Sequence, residues 1–200
     1  MEIFTESKSK VICLVGAGGK KTTMYGLSKY LKGNVALTST THMYLYDERH
    51  VDRFVCVRQE KHSRILEDGA RVRAYFGPKV GKGRVAGLSE ATLKFIWENG
   101  SEDYMLIKAD GARSRLIKAP NEREPLIPSF ADTVVPILSS KVIGRKLTST
   151  IAHRVEHLST IMGMTPGDRI EPRNLVKLMT SRNGFLKNTA GKRVLPLINM

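Results

Sequence analysis

At 200 residues, with 41% hydrophobic and 26% charged side chains, the chain has the size and balance of one ordinary globular domain, spanning residues 1–200. No apolar run approaches the roughly 20 residues of a membrane-spanning helix, and the start, Met1-Glu2-Ile3-Phe4-Thr5-Glu6, carries acids and no signal-like apolar core. A cytoplasmic protein without a membrane partner is therefore expected. The net charge of +14 calls for anionic partners, and residues 141–200 hold 11 basic against 3 acidic side chains. With 6% aromatics and no RNA-binding signature, nucleic acid is the least favoured of those partners.

Val11 to Val15 is a short apolar run that predicts a strand over about 10–15. It ends in Gly16-Ala17-Gly18-Gly19-Lys20-Lys21-Thr22-Thr23, followed by a helical pattern over 21–32 with Met24, Leu27 and Leu31 on one face. Strand, glycine cluster, lysine, hydroxyl and helix form the order of parts of a phosphate cradle. Small residues let backbone N–H groups close on phosphate oxygens, and the helix directs its positive end at the anion. Gly16, Ala17, Gly18 and Gly19 would supply those groups. Lys20 would reach the terminal phosphates, and Thr22 or Thr23 offers a hydroxyl for Mg²⁺. The long pattern G-x-x-x-x-G-K-[ST] fails at Leu14 and at Lys21; the shorter G-x-x-G-K form of Mur-ligase-type loops fits Gly16, Gly19 and Lys20. A glycine turn that serves only close helix–strand packing is the plainer alternative.

Gly33-Asn34 ends the helix, and Val35 to Thr38 is a second strand, so the chain opens with a βαβ unit. The run Thr38-Ser39-Thr40-Thr41-His42 then lies at a strand's carboxyl end, where open parallel sheets bind ligands. Thr40, Thr41 and His42 are therefore candidate anion contacts, or a loop whose hydroxyls bind their own backbone. Further strands are expected at Arg53–Val57 and Arg71–Phe76, with a short helix near 60–68 between them. Gly77 to Gly83 forms a hairpin or a mobile loop, and Ser89 caps a helix that ends at Asn99-Gly100. Cys13 and Cys56 both fall in strand-like runs and predict buried thiols.

Tyr104 to Gly111 is an apolar strand ending in Asp110, the arrangement in which a carboxylate holds Mg²⁺ beside a glycine loop. Lys20 and Asp110 are the candidate catalytic pair, and Thr22 with Asp110 the candidate metal set. The following charged loop, with Arg113, Arg115, Lys118, Glu122, Arg123 and Glu124 among three prolines, could clamp a substrate. Asp132–Leu138 predicts a strand, and 148–162 a helix with Ile151, Val155, Leu158 and Met162 on its stripe. A further helix opens at Glu171-Pro172 and runs to Asn183-Gly184, and Arg193–Asn199 closes with a strand. His153-Arg154-Val155-Glu156-His157 fits H-x-x-E-H, with both histidines on one helix face. Zinc is nevertheless not expected, because a third protein ligand is missing and the glycine loop would have no role. His153 and Arg154 are better candidates for anion contacts. The fold class that results is α/β, P-loop NTPase-like, with a mainly parallel sheet and helices around it.

In their order along the chain these blocks resemble the YqeC family, accessory proteins of selenium-dependent molybdenum hydroxylases. The resemblance runs through the glycine loop, Thr38 to His42, Ala109-Asp110-Gly111, Lys118-Ala119-Pro120, Glu124 to Pro128, His153-Arg154 and Leu197-Ile198-Asn199. It implies a P-loop fold and a nucleotide-dependent step in selenium cofactor insertion or labile-selenium handling; with the glycine loop and Asp110, the expected ligands are ATP or GTP and Mg²⁺. The partner implied is such a hydroxylase or its cofactor, and the family tends to continue beyond an asparagine like Asn199. Two residues depart from it: Lys21 stands where Thr is usual, and Lys108 where an acid is expected. Turnover is left open, so a nucleotide- or phospho-cofactor-binding protein without hydrolysis is the alternative, and a basic nucleic-acid module the third.

Overall fold

The structure is a computed structural model that describes residues 10–58 and 69–200. Its centre is β1 (Val11–Gly16), buried along its whole length, and a run apolar on both faces belongs inside a parallel sheet. The glycine loop leads into α1 (Lys20–Tyr30), whose Met24 and Leu27, with Leu31 just beyond, are buried as their spacing requires. The chain returns as β2 (Val35–Ser39), then passes through the two-residue β3 (Met43–Tyr44) to β4 (Arg53–Cys56) and β5 (Val72–Phe76). A small antiparallel flap joins β3 to β6 (Lys79–Gly81) and β7 (Arg84–Val85). Next come α2 (Glu90–Asn99), capped by the Ser89 hydroxyl accepting from Thr92 N–H at 3.1 Å, and β8 (Tyr104–Lys108). The remainder is β9 (Ile117–Lys118), β10 (Thr133–Ser139), β11 (Ala152–His153), α3 (Val155–Met162), α4 (Pro172–Thr180), β12 (Arg193–Val194) and β13 (Leu197–Asn199).

The main sheet runs in the order β12, β10, β1, β8, β2, β5, β4, with β13 also on β10, and every pairing in it is parallel. Helices flank it. Alternate residues of β1 serve opposite faces: Ile12 and Leu14 pack with Met24 and Leu27 of α1, while Val11, Cys13 and Val15 pack with Leu93 and Ile96 of α2. A third apolar cluster, centred on Leu138, Val142, Leu158, Met162, Leu175 and Leu178, holds α3 and α4 together.

Topology decides where the site can form. The β1–α1–β2 crossover skips one position, which β8 fills, so β1 lies between two strands that come later in the chain. Leu14 pairs with Lys108 in register, and the backbone two residues on therefore sets Gly16 beside Asp110. On the other flank Gly16 pairs with Ile137 of β10. That packing leaves no room for a side chain: a Cβ on Gly16 would run into the Ile137 carbonyl, and its φ of 87° is left-handed as well. Gly16→Ala is accordingly expected to lower unfolding free energy by more than about 2 kcal/mol, checked by urea denaturation.

Several local expectations need correction. The 148–162 helix begins only at Val155: Ala152–His153 is a strand paired with Ile117–Lys118, and Arg154 turns the chain with a φ of 66°. His153 and His157 therefore do not share a helix face. Cys56 lies on the outermost strand and is exposed, whereas Cys13 is buried and its thiol is pushed well above the usual range by that burial. The last strand breaks at Leu195-Pro196 into β12 and β13, and the 171–183 helix stops at Thr180. Residues 77–83 form one side of the flap. The helix expected near 60–68 lies outside the described residues.

Candidate functional site

The glycine loop packs tightly, and two of the amides expected to face phosphate are engaged within the fold: Gly16 N–H donates to Asp110 Oδ2 and Ala17 N–H to the Ile137 carbonyl at 2.8 Å, which leaves Gly18 and Gly19 at the cleft. Gly18 has φ 80°, and a Cβ there would come within 2.8 Å of the Leu116 carbonyl. No side chain caps the first turn of α1, and its first residue, Lys20, is buried. From the far end of the chain, Asn199 Nδ2 donates to Gly18 O at 2.8 Å, so β13 braces the loop from outside.

Asp110 sits under this loop, buried. Its Oδ2 accepts from Gly16 N–H at 2.9 Å and lies 3.0 Å from Lys118 Nζ. Its Oδ1 is 2.8 Å from Lys20 Nζ, in a direction that makes an ion pair but no hydrogen bond. Lys20 Nζ also donates to Gly16 O. Burial pulls the Lys20 pKa down, and the Asp110 charge beside it pulls the other way.

Lys118, 1% exposed, extends the network. It donates to Gly111 O at 2.7 Å and to Glu124 Oε2 at 2.8 Å, and Arg154 Nη2 reaches the same Oε2 at 2.7 Å. Glu124 Oε1 accepts from Gly111 N–H at 3.2 Å. Lys118 and Glu124, six residues apart, and Arg154, 30 residues further on, are thus one cluster contiguous with Asp110 and Lys20. Burial alone would raise the Glu124 pKa, but hydrogen bonds and charge from Lys118 and Arg154 hold it at about 2. His153, half-buried and beside Arg154 and Lys118, is depressed to about 4, first by burial and then by those cations.

Both shifts leave the native state binding fewer protons than the unfolded chain at acid pH. The stability tied to His153 is full above its ordinary 6.5 and is lost as pH falls through 4. That of Glu124 is full above 4.5 and is lost towards 2. Melting temperature should therefore fall in two limbs below pH 6.5, and His153→Gln should flatten the upper one. A flat profile between pH 6.5 and 4 in the native protein would contradict the His153 assignment.

Above the loop opens a cleft of about 540 Å³. Gly18, Gly19, Lys20 and Lys21 form its floor, His42 to Tyr44 one wall, and Gly111 to Leu116 another. Lys108, Arg113 and Arg115 line it, as do Arg84 from the flap and Lys141 from the turn after β10; no Asp or Glu side chain does. Lys21 is turned to the flap, donating to Tyr44 O at 2.6 Å and Leu45 O at 2.9 Å. Lys108 Nζ donates to Thr41 Oγ1 at 2.8 Å, and its pKa falls to about 8, through burial first and then the neighbouring Lys20 charge. Thr40 points away, its hydroxyl bonded to Leu126 O at 3.0 Å, whereas His42 lines the cleft. Thr22 is exposed and Thr23 half-exposed on α1, and neither faces the cleft. Tyr44, Arg84, Ser139 and Lys141 were not candidates on sequence grounds; the flap and β10 bring them in from segments without a motif.

The donor set decides whether a Mg²⁺ ion fits. Mg²⁺ takes oxygen ligands, usually one or two carboxylates beside substrate phosphates. Here Asp110 is already engaged by two ammonium groups and a backbone N–H, and the neighbouring Glu124 by Lys118, Arg154 and Gly111 N–H. Among the described residues no three His, Cys, Asp or Glu side chains gather to hold a metal. Cations, hydroxyls and backbone amides line the cleft, a set that suits phosphate oxygens and does not build a resident metal site.

Fold and site together define an α/β protein with a parallel sheet and a basic cleft at the sheet's carboxyl edge. The chain belongs to the YqeC family: the family model for YqeC protein matches residues 12–156, from β1 through the loop, Asp110 and the Lys118–Glu124–Arg154 cluster. Uncharacterized protein YqeC of Escherichia coli (strain K12) is 27% identical over 191 residues, which cover 94% of this chain and 74% of that protein. No solved structure matches the chain. No helix among the described residues is long and apolar enough to cross a membrane.

Proposed function

We propose that this protein binds a nucleoside triphosphate, ATP or GTP, in a P-loop-like manner with a short, Mur-ligase-like loop. The observation that carries the reading is the apposition of Gly16, Lys20 and Asp110 at the carboxyl edge of a parallel sheet, beneath a cleft lined by cations. The phosphates would lie over Gly18, Gly19 and the first turn of α1, because Gly16 and Ala17 spend their N–H groups on Asp110 and the Ile137 carbonyl; Lys20 would be released from Asp110 to the terminal phosphates and Lys118 left behind to balance that carboxylate. Tyr44, largely exposed at the cleft wall, offers a face on which a base can stack. Isothermal titration with ATP and GTP tests the claim: saturable binding of either is expected. Absence of heat, together with failure of both to raise the melting temperature, would reject it.

From the family resemblance we extend the reading to a nucleotide-dependent step in the maturation, or selenium cofactor insertion, of a selenium-dependent molybdenum hydroxylase. A second reading is a binding protein without turnover. It is favoured by the lysine pair on Asp110, which sets an ammonium group within 3.0 Å of each of its oxygens, where a water or a metal would otherwise approach. Phosphate release from ATP or GTP separates the two.

A further inference from the structure

We propose that the cleft neutralises the polyphosphate of its nucleotide with its own cations, so that binding needs no divalent metal. The inference rests on the nucleotide reading above and adds to it the ionic form of the ligand: the free polyphosphate, not its magnesium complex.

Three independent features converge. Lys108 stands at the end of β8, two residues before Asp110, in the part of the cleft next to Lys20, and the hydrogen bond it makes is to the neutral hydroxyl of Thr41. Arg84, Arg113, Arg115 and Lys141 face the same cavity from three separate segments, and among the described residues none of them has an ion-pair partner. Asp110, finally, is locked between Lys20 and Lys118. A divalent ion would have to displace an ammonium group from Asp110 while entering a cleft already crowded with like charge. A free polyphosphate meets the opposite condition, since each of its oxygens approaches an uncompensated cation and relieves repulsion among them. Lys108, lining the cleft at the end of β8, would supply positive charge to the ligand that a metal would otherwise supply.

The test is titration of the full chain with ATP and GTP in two buffers, one with excess Mg²⁺ and one with EDTA. Affinity in EDTA should lie within about threefold of that in Mg²⁺, or exceed it. In EDTA, Lys108→Gln should weaken binding by roughly tenfold or more, and Lys108→Arg should hold it within about threefold. Loss of binding in EDTA with binding in Mg²⁺ would overturn the inference and leave the nucleotide reading standing. Equal affinity of Lys108→Gln and the native chain in EDTA would overturn the role of Lys108. No binding in either buffer would overturn both readings together.

Discussion

Lys20→Ala is expected to weaken ATP or GTP binding by roughly 30- to 1,000-fold while the protein stays folded. The size follows from removing a charge-assisted contact in a buried setting, worth on the order of 2–4 kcal/mol. The retained fold follows from what surrounds Asp110. Lys20 and Lys118 share that carboxylate, so truncating one leaves it paired with the other and still bonded to Gly16 N–H at 2.9 Å. Few buried lysines can be removed without stranding a partner, and here the geometry provides for it. Calorimetry with a melting curve on the same sample checks both halves. An affinity within threefold of the native protein would remove the loop lysine from the site. A collapsed melting curve would show that Lys118 does not suffice as counter-ion.

The parts legible in the sequence are those whose signal is local. Val11 to Val15 is apolar on both faces because helices cover both faces of its sheet, and Met24, Leu27 and Leu31 repeat at helical spacing because α1 buries that stripe. The glycine loop was legible because close packing on Ile137 and Leu116 demands glycine at fixed positions. What failed was local spacing overridden by tertiary pairing. Ile151, Val155, Leu158 and Met162 fit one helix stripe, yet Ala152 and His153 pair with Ile117 and Lys118, and Ile151 enters the core from a turn. That pairing positions Arg154 on Glu124, which no periodicity in either segment announces. Cys56 misled for a related reason: a strand-like run says nothing about whether its strand ends up at the sheet edge. Arg113 and Arg115 were legible as a charged loop at a strand end, but the rest of the cation wall was hidden because Arg84 and Lys141 reach it only through the flap and β10. Asp110 was visible as a strand-end carboxylate, but its two lysines come from 90 residues before it and 8 after it.

That double pairing makes Asp110→Ala the most costly substitution at the site. It removes the acceptor of Gly16 N–H and leaves Lys20 and Lys118, both buried, as neighbours without the charge between them. Breaking a buried pair in this way costs about 3–5 kcal/mol, a large share of the stability of a domain this size. Lys118 keeps Glu124 at 2.8 Å, so the penalty falls mainly on Lys20 and the loop. Urea denaturation of Asp110→Ala should show that loss, and adding Lys20→Met should recover part of it, a coupling that two independent sites would not give. Ligand then separates a counter-ion from a metal holder. If Asp110 serves to balance lysines, Asp110→Ala leaves Lys20 unopposed for phosphate, and ATP should stabilise the variant at least as strongly as it does the native chain, in EDTA as in Mg²⁺. If Asp110 serves to hold a metal, the variant should lose whatever part of its affinity Mg²⁺ confers. The charges around the loop favour the first outcome: two ammonium groups within 3.0 Å of one carboxylate already do there what a divalent ion would do.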